Sequence, residues 1–259
     1  MRRPGPRAAT GLVLLAGLLV ALPSISIGFF SDDYALINQL KHPSLAESAR
    51  LDLYRFTAPS DEGNRALVEA GFLPWWSAPA LRFHFLRPLS SALLALDHAL
   101  FGDAPLGWHI HSLVWWALLL GIVRALYLRL LPGYAGVVAL AVFAFATAHI
   151  QTYGWIASRH MTVAVAPALL ALLAHIRARE DGWGPGRWIA PLLLAVGLAG
   201  GEAGLAGIAF CLAYEFAGPE ALGNARRRLQ AATPGLALLV VYAGIYNALH
   251  GGTAASAGY

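Results

Sequence analysis

The chain has 259 residues, of which 58% are hydrophobic and only 12% charged, and its mean hydropathy is +0.59. That composition excludes a soluble globular domain and places the protein in the membrane-integral class. The net charge of +4 does not mark a nucleic-acid binder, because the basic residues, all arginine except Lys41, fall in short clusters between apolar runs, where they orient helices in a bilayer.

Apolar stretches at 9–30, 106–131, 134–149, 161–176, 188–200, 203–217 and 234–249 predict an all-α bundle of about seven spans, each near the roughly 20 residues that cross a bilayer and some rather short. The first follows Arg2, Arg3 and Arg7 and ends near Ser24 and Ser26, which is also how a cleavable signal peptide looks. Because the run continues through Ile25, Ile27, Phe29 and Phe30, an uncleaved anchor is expected.

The segment 31–105 predicts a structured outer loop, with Trp75, Trp76 and Pro59, Pro74, Pro79 and Pro88. Its last part, 89–101, puts Leu89, Leu93, Leu96 and Leu100 on one helical face and Ser90 with Asp97 on another, in a stretch too short to span. A helix lying at the outer interface is expected there. Trp108, Trp155, Trp183 and Trp188 fall near predicted span ends, as an aromatic belt would, and Cys211 inside an apolar run reads as packing.

With a cytoplasmic amino terminus, the inner segments hold Arg2, Arg3, Arg7, Arg124, Arg129, Arg177, Arg179, Arg187, Arg226, Arg227 and Arg228, while the short outer connections hold only Arg159. Reading 188–217 as one span would put Arg226, Arg227 and Arg228 outside, so a hairpin turning at Gly200-Gly201-Glu202 is preferred.

This topology gathers distant polar residues on the outer side. Asp32 and Asp33 follow the first span, His109 and His111 open the second, His149, Gln151, Arg159 and His160 bracket the turn after the third, and Glu202 lies at the hairpin. Adjacent carboxylates at a helix exit are costly unless water or a substrate uses them. A positioned carboxylate takes the proton of an attacking hydroxyl, and cations stabilise a departing phosphate. His109 and His111, two apart on a helix, cannot share a face, which argues against a joint metal site.

Several segments resemble a known family. Residues 29–38, around Ser31-Asp32-Asp33-Tyr34, resemble the acidic first-loop motif of the tetratricopeptide-linked O-mannosyltransferases and their bacterial relatives, membrane glycosyltransferases of the GT-C fold. Arg87-Pro88, Trp108-His109-Ile110-His111, the turn from Ala148-His149 to Arg159, and Gly201-Glu202 are similar to further motifs of that group, in the same order. The resemblance implies a GT-C-like seven-helix module that transfers a sugar from a polyprenyl-phosphate carrier to an acceptor hydroxyl by a single inverting displacement. It implies Asp32 or Asp33 as the general base. Arg87, His149, Arg159 and Glu202 become candidates for holding the carrier phosphate or the sugar.

The acceptor, whether protein, glycan or lipid, stays open, as does a divalent cation; no cofactor is required by the residues. The expected setting is a bacterial inner membrane with the site facing outside, and the chain reads either as a minimal module or as one lacking a C-terminal part. Departures occur at Gln151, at Met161 and at Gly201, which stands where the group carries a basic partner for the glutamate. They keep a second reading alive, a catalytically silent relative or membrane assembly factor. A lipid or solute transporter is the third, though no internal repeat or mid-membrane charge supports it.

Overall fold

The computed structural model describes residues 5–42, 50–218 and 223–256. Arg2 and Arg3, two of the charges used for orientation, lie outside the described residues. The described residues form eleven α-helices and one short antiparallel ladder.

Each apolar stretch becomes helical, but length separates them. Four are long and apolar enough to cross a membrane: α1 (Pro6–Ala21, continued by a 3-10 turn to Ser26), α5 (Pro105–Leu130), α8 (His160–Glu180, with the turn before it) and α11 (Ala225–Ala248). A fifth is broken, α6 (Ala135–Phe145) meeting the 3-10 turn Thr147–His149 and α7 (Ile150–Gly154) at 48°. The two others, α9 (Gly186–Gly200) and α10 (Leu205–Ala217), have 15 and 13 residues. At a rise of about 1.5 Å per residue they reach only about 20–23 Å, against a hydrocarbon core of about 30 Å. The protein is a mostly helical, multi-pass membrane protein with four to five helices of spanning length among the described residues.

The first span stops short of the expected Phe30, since the 3-10 turn closes at Ser26 and Ile27 turns extended. Three shorter helices precede the second span. They are α2 (Asp32–Lys41), α3 (Asp61–Glu69), capped by the Ser60 hydroxyl accepting from the Gly63 amide at 3.1 Å, and α4 (Pro88–Phe101). Proline at the first helical position begins α1, α4 and α5, where its missing N–H costs nothing.

Side-chain bonds show that the bundle has two distinct ends. At one, Arg124 on α5 donates to the Thr10 hydroxyl at 3.0 Å and to the Arg7 carbonyl at 3.1 Å. Nearby, Arg129 forks onto Asp181 at 2.6 and 2.9 Å beyond the end of α8. Buried Glu215 on α10 accepts from His175 at 2.7 Å and Arg179 at 2.7 and 3.0 Å, and its carbonyl accepts from Arg228 on α11. All the inner arginines expected from the sequence that lie among the described residues sit at this end or in its turns. The other end carries α2, α3, α4 and the helix starts and stops that hold Asp32, Asp33 and Glu202.

The chain does turn back between α9 and α10. Gly201 takes φ of 150°, open to little but glycine. A Cβ at Gly200 would come within 2.8 Å of the Ala164 backbone on α8, and one at Gly204 would lie inside the backbone of Gly197. Small residues let three helix backbones touch where lipid supplies no hydrophobic drive. Trp116, Leu120, Leu140 and Ile176 centre the core among α1, α5, α6 and α8, and Leu194, Leu198, Ile208 and Tyr242 centre a second one. Outward, Leu12, Leu15, Leu19, Val114, Leu118, Val138, Val142 and Val240 form an exposed apolar surface suited to lipid. Trp108 departs from the expected belt, being fully buried with its indole N–H on the Gly102 carbonyl at 3.1 Å, whereas Trp188 is 78% exposed.

Candidate functional site

The site grows from the exit of the first span. After Ile27 the chain runs extended to Ser31, a non-glycine residue at φ of 50°, and that bend starts α2. Such backbone costs about 1–3 kcal/mol and persists only where surrounding contacts hold it. Asp33 supplies them. One carboxylate oxygen accepts from the Phe30 amide at 3.0 Å, folding the helix start back on itself, and the other accepts from the Ala157 amide at 2.7 Å, across the bundle. At 1% exposure Asp33 is a buried brace. Burial, opposed by those two amides, pushes its carboxyl up to about 6. Asp32, one residue earlier, is exposed, and its only described partner is the Ser31 hydroxyl at 3.4 Å.

Ala157 belongs to the 3-10 turn Ile156–Arg159, and its carbonyl is shared. It accepts from the Tyr54 hydroxyl at 3.1 Å and faces His160 Nδ1 at 2.9 Å, with the two rings edge to face at 5.4 Å. Over the Tyr54 ring, at 4.8 Å, lies the Arg87 guanidinium, which also covers Phe85 at 4.5 Å. Arg87 Nε donates to Glu202 at 2.8 Å, and the Tyr246 hydroxyl on α11 reaches the other Glu202 oxygen at 3.3 Å. Burial holds the Tyr54 phenol well above its ordinary range, so it stays a donor. A continuous polar path therefore joins Asp33, Ala157, Tyr54, Arg87, Glu202 and Tyr246.

The Gly201 departure finds a physical reason here. A Cβ at that position would stand 3.3 Å from Arg87 Cγ, so Arg87 covers the space and itself provides the cation for Glu202.

Arg159 is oriented differently. Its side chain, 2% exposed, pairs with Asp97 of α4 and donates to the Trp108 carbonyl at 3.2 Å. The second Asp97 oxygen meets His111 Nδ1 at 2.6 Å, and the Trp115 indole donates to His111 Nε2 at 3.1 Å. The polar face of α4 thus turns inward, Ser90 donating to the Gly200 carbonyl at 2.6 Å and Ser91 accepting from Leu53, while Leu96 and Leu100 face outward as expected of an interfacial helix. His109 is buried on another face of α5, with Nε2 3.4 Å from the Gly28 carbonyl.

Of the six residues singled out from sequence, Asp33, Arg87 and Glu202 join one path, Asp32 stands at its edge and Arg159 braces it from beneath. His149 does not join. Its ring is half-buried at the kink between α6 and α7, tilted against Phe143 at 4.4 Å and Trp116 at 5.1 Å. The sequence left Tyr54 and Tyr246 unmarked, since one lies in an irregular loop and the other in a long apolar helix, and their partners are distant in sequence. Among the described residues no group of three or more His, Cys, Asp or Glu side chains is gathered to hold a metal ion. A cavity of about 590 Å³ lies at the opposite, arginine-rich end. No family model, curated protein or solved structure matches the chain.

Proposed function

We propose that this protein is a GT-C-like, seven-helix membrane glycosyltransferase that moves a sugar from a polyprenyl-phosphate carrier to an acceptor hydroxyl at the end of the bundle carrying Asp32. The observation that carries the reading is the polar path that starts at Asp33, next to the exposed carboxylate of Asp32, and runs through Ala157 and Tyr54 to the stacked Arg87 and Glu202. Burial distinguishes the two acids. Asp33 has no surface for an acceptor and holds the turn, so Asp32 is the general base. It takes the hydroxyl proton as the acceptor oxygen bonds to the anomeric carbon. The carbon–oxygen bond to the carrier breaks on the opposite side, and its electron pair leaves with the polyprenyl phosphate toward Arg87, whose cation stabilises the developing charge.

A second reading, the catalytically silent relative, is favoured by Arg159, whose guanidinium is engaged by Asp97 and the Trp108 carbonyl. One experiment separates the two. The purified full chain in liposomes is given polyprenyl-phosphate-linked hexoses and simple hydroxyl acceptors, and release of polyprenyl phosphate is followed. Turnover that Asp32→Asn reduces at least a hundredfold, with the variant still folded, supports the transferase, in line with the usual 10²–10⁴ contribution of a general base. Turnover kept by Asp32→Asn removes the proposed base, and none from the wild type supports the silent relative.

A further inference from the structure

The cavity at the arginine-rich end plays no part in the site above. It opens between the last turns of α8, the middle of α10 and the first turns of α9 and α11, with a volume of about 590 Å³, within the roughly 300–1,000 Å³ of small-molecule pockets. Its inner wall is apolar, from Pro191, Leu194, Ile208 and Leu212, and its mouth carries Arg187 and Arg227 on two different helices, with Trp188 alongside. Arg187, Arg227 and Trp188 are all exposed.

Among the described residues, charge at the mouth is one-sided. The acid nearest the wall, Glu215, is fully buried and already held by His175 and Arg179. Among the described residues no carboxylate comes within ion-pair distance of Arg187 or Arg227. An apolar slot below two cations and an interfacial tryptophan is complementary to a molecule with an anionic head and hydrocarbon tails.

We propose that this cleft binds an anionic glycerophospholipid from the adjacent leaflet, its phosphate between Arg187 and Arg227 and an acyl chain along Leu194 and Ile208. The lipid fills the wedge between α9 and α11. Because α9 and α10 are shorter than the hydrocarbon core, a lipid held here also seals the bundle where its helices are least able to span.

The test is native mass spectrometry of the full chain released from detergent with dioleoyl phosphatidylglycerol, dioleoyl phosphatidylcholine or inorganic phosphate. Retention of phosphatidylglycerol over phosphatidylcholine is expected, falling on the order of tenfold in the Arg187→Gln/Arg227→Gln double variant. Ala231→Trp, which fills the cleft from α11 and leaves both arginine charges in place, should lower retention as well. Arg177→Gln, a charge change at the same end whose side chain stacks on Trp183, should leave it unchanged. Equal retention of the two lipids overturns the proposal. So does an equal loss in Arg177→Gln, displacement by inorganic phosphate alone, or full retention in Ala231→Trp; if the double variant does not fold, the lipid comparison and Ala231→Trp decide.

Discussion

With an ordinary pKa of 3.8 held up to about 6 by burial, Asp33 keeps a proton in the folded chain that it loses in the unfolded one across that interval. The stability it contributes is therefore full below about pH 3.8 and is lost as pH rises through about 6. The loss amounts to at most about 3 kcal/mol, since each tenfold change in proton affinity between folded and unfolded chain is worth about 1.4 kcal/mol. Thermal unfolding in detergent is expected at lower temperature at pH 7.5 than at pH 5, and Asp33→Asn, which cannot titrate, should flatten that difference. An unchanged pH dependence in the variant would show that Asp33 is not the group involved. Asp97 shows the other way of keeping a buried acid, since it faces a guanidinium and an imidazole at once. Removing one partner of such a pair costs about 3–5 kcal/mol, because the charge left behind has no water. The placement of polar residues was legible where charge interrupts apolar sequence, since Asp33 and Glu202 lie on one polar path and Asp32 beside it. It was not legible for Tyr54, whose partner is a backbone carbonyl 103 residues away and whose importance lies in stacking under Arg87.

Among the elements, the α9–α10 hairpin shows what hydropathy leaves out. Its turn was readable from Gly200-Gly201-Glu202, because a carboxylate between apolar runs seeks the membrane edge. Its closeness to α8 was not, since contact between Gly200 and Ala164 depends on which faces meet. Gly204→Ala would force a methyl into the Gly197 backbone, and a destabilisation of about 1–3 kcal/mol is expected from such overpacking. The measurement is the unfolding midpoint in detergent, with Gly11→Ala, which meets nothing within 4 Å, as the comparison. A Gly204→Ala protein as stable as wild type would mean the helices are not packed this closely. The same limit explains the third apolar stretch. Hydropathy sees 134–149 as one run, while the chain breaks at Ala146, where φ and ψ of −65° and 124° leave the helix and the 48° bend begins.

For the whole molecule, the two ends carry different polar groups: Arg129, Arg179 and Arg228 engage Asp181 and Glu215 in ion-pair and capping networks at one, while Asp32, Asp33 and the Arg87–Glu202 pair lie at the other. Which end faces the cytoplasm is a separate matter that charge bias proposes. A periplasm-active reporter fused after Gly201 is expected to be active and one fused after Arg228 inactive. Activity in the reverse order would invert the orientation, and equal activity would mean that α10 does not carry the chain across.

The short ladder joining Arg82–His84 to Gly252–Ala254 bears on how the protein is made. Beside it, His84 contacts the Leu249 carbonyl across 165 residues of sequence. At typical synthesis rates of about 5–20 residues per second, that separation corresponds to a delay on the order of ten to thirty seconds. Throughout it that edge of the 82–84 strand lacks its partner strand. The polar path, which ends on the Tyr246 hydroxyl, is complete only once the helix bearing Tyr246 has been made.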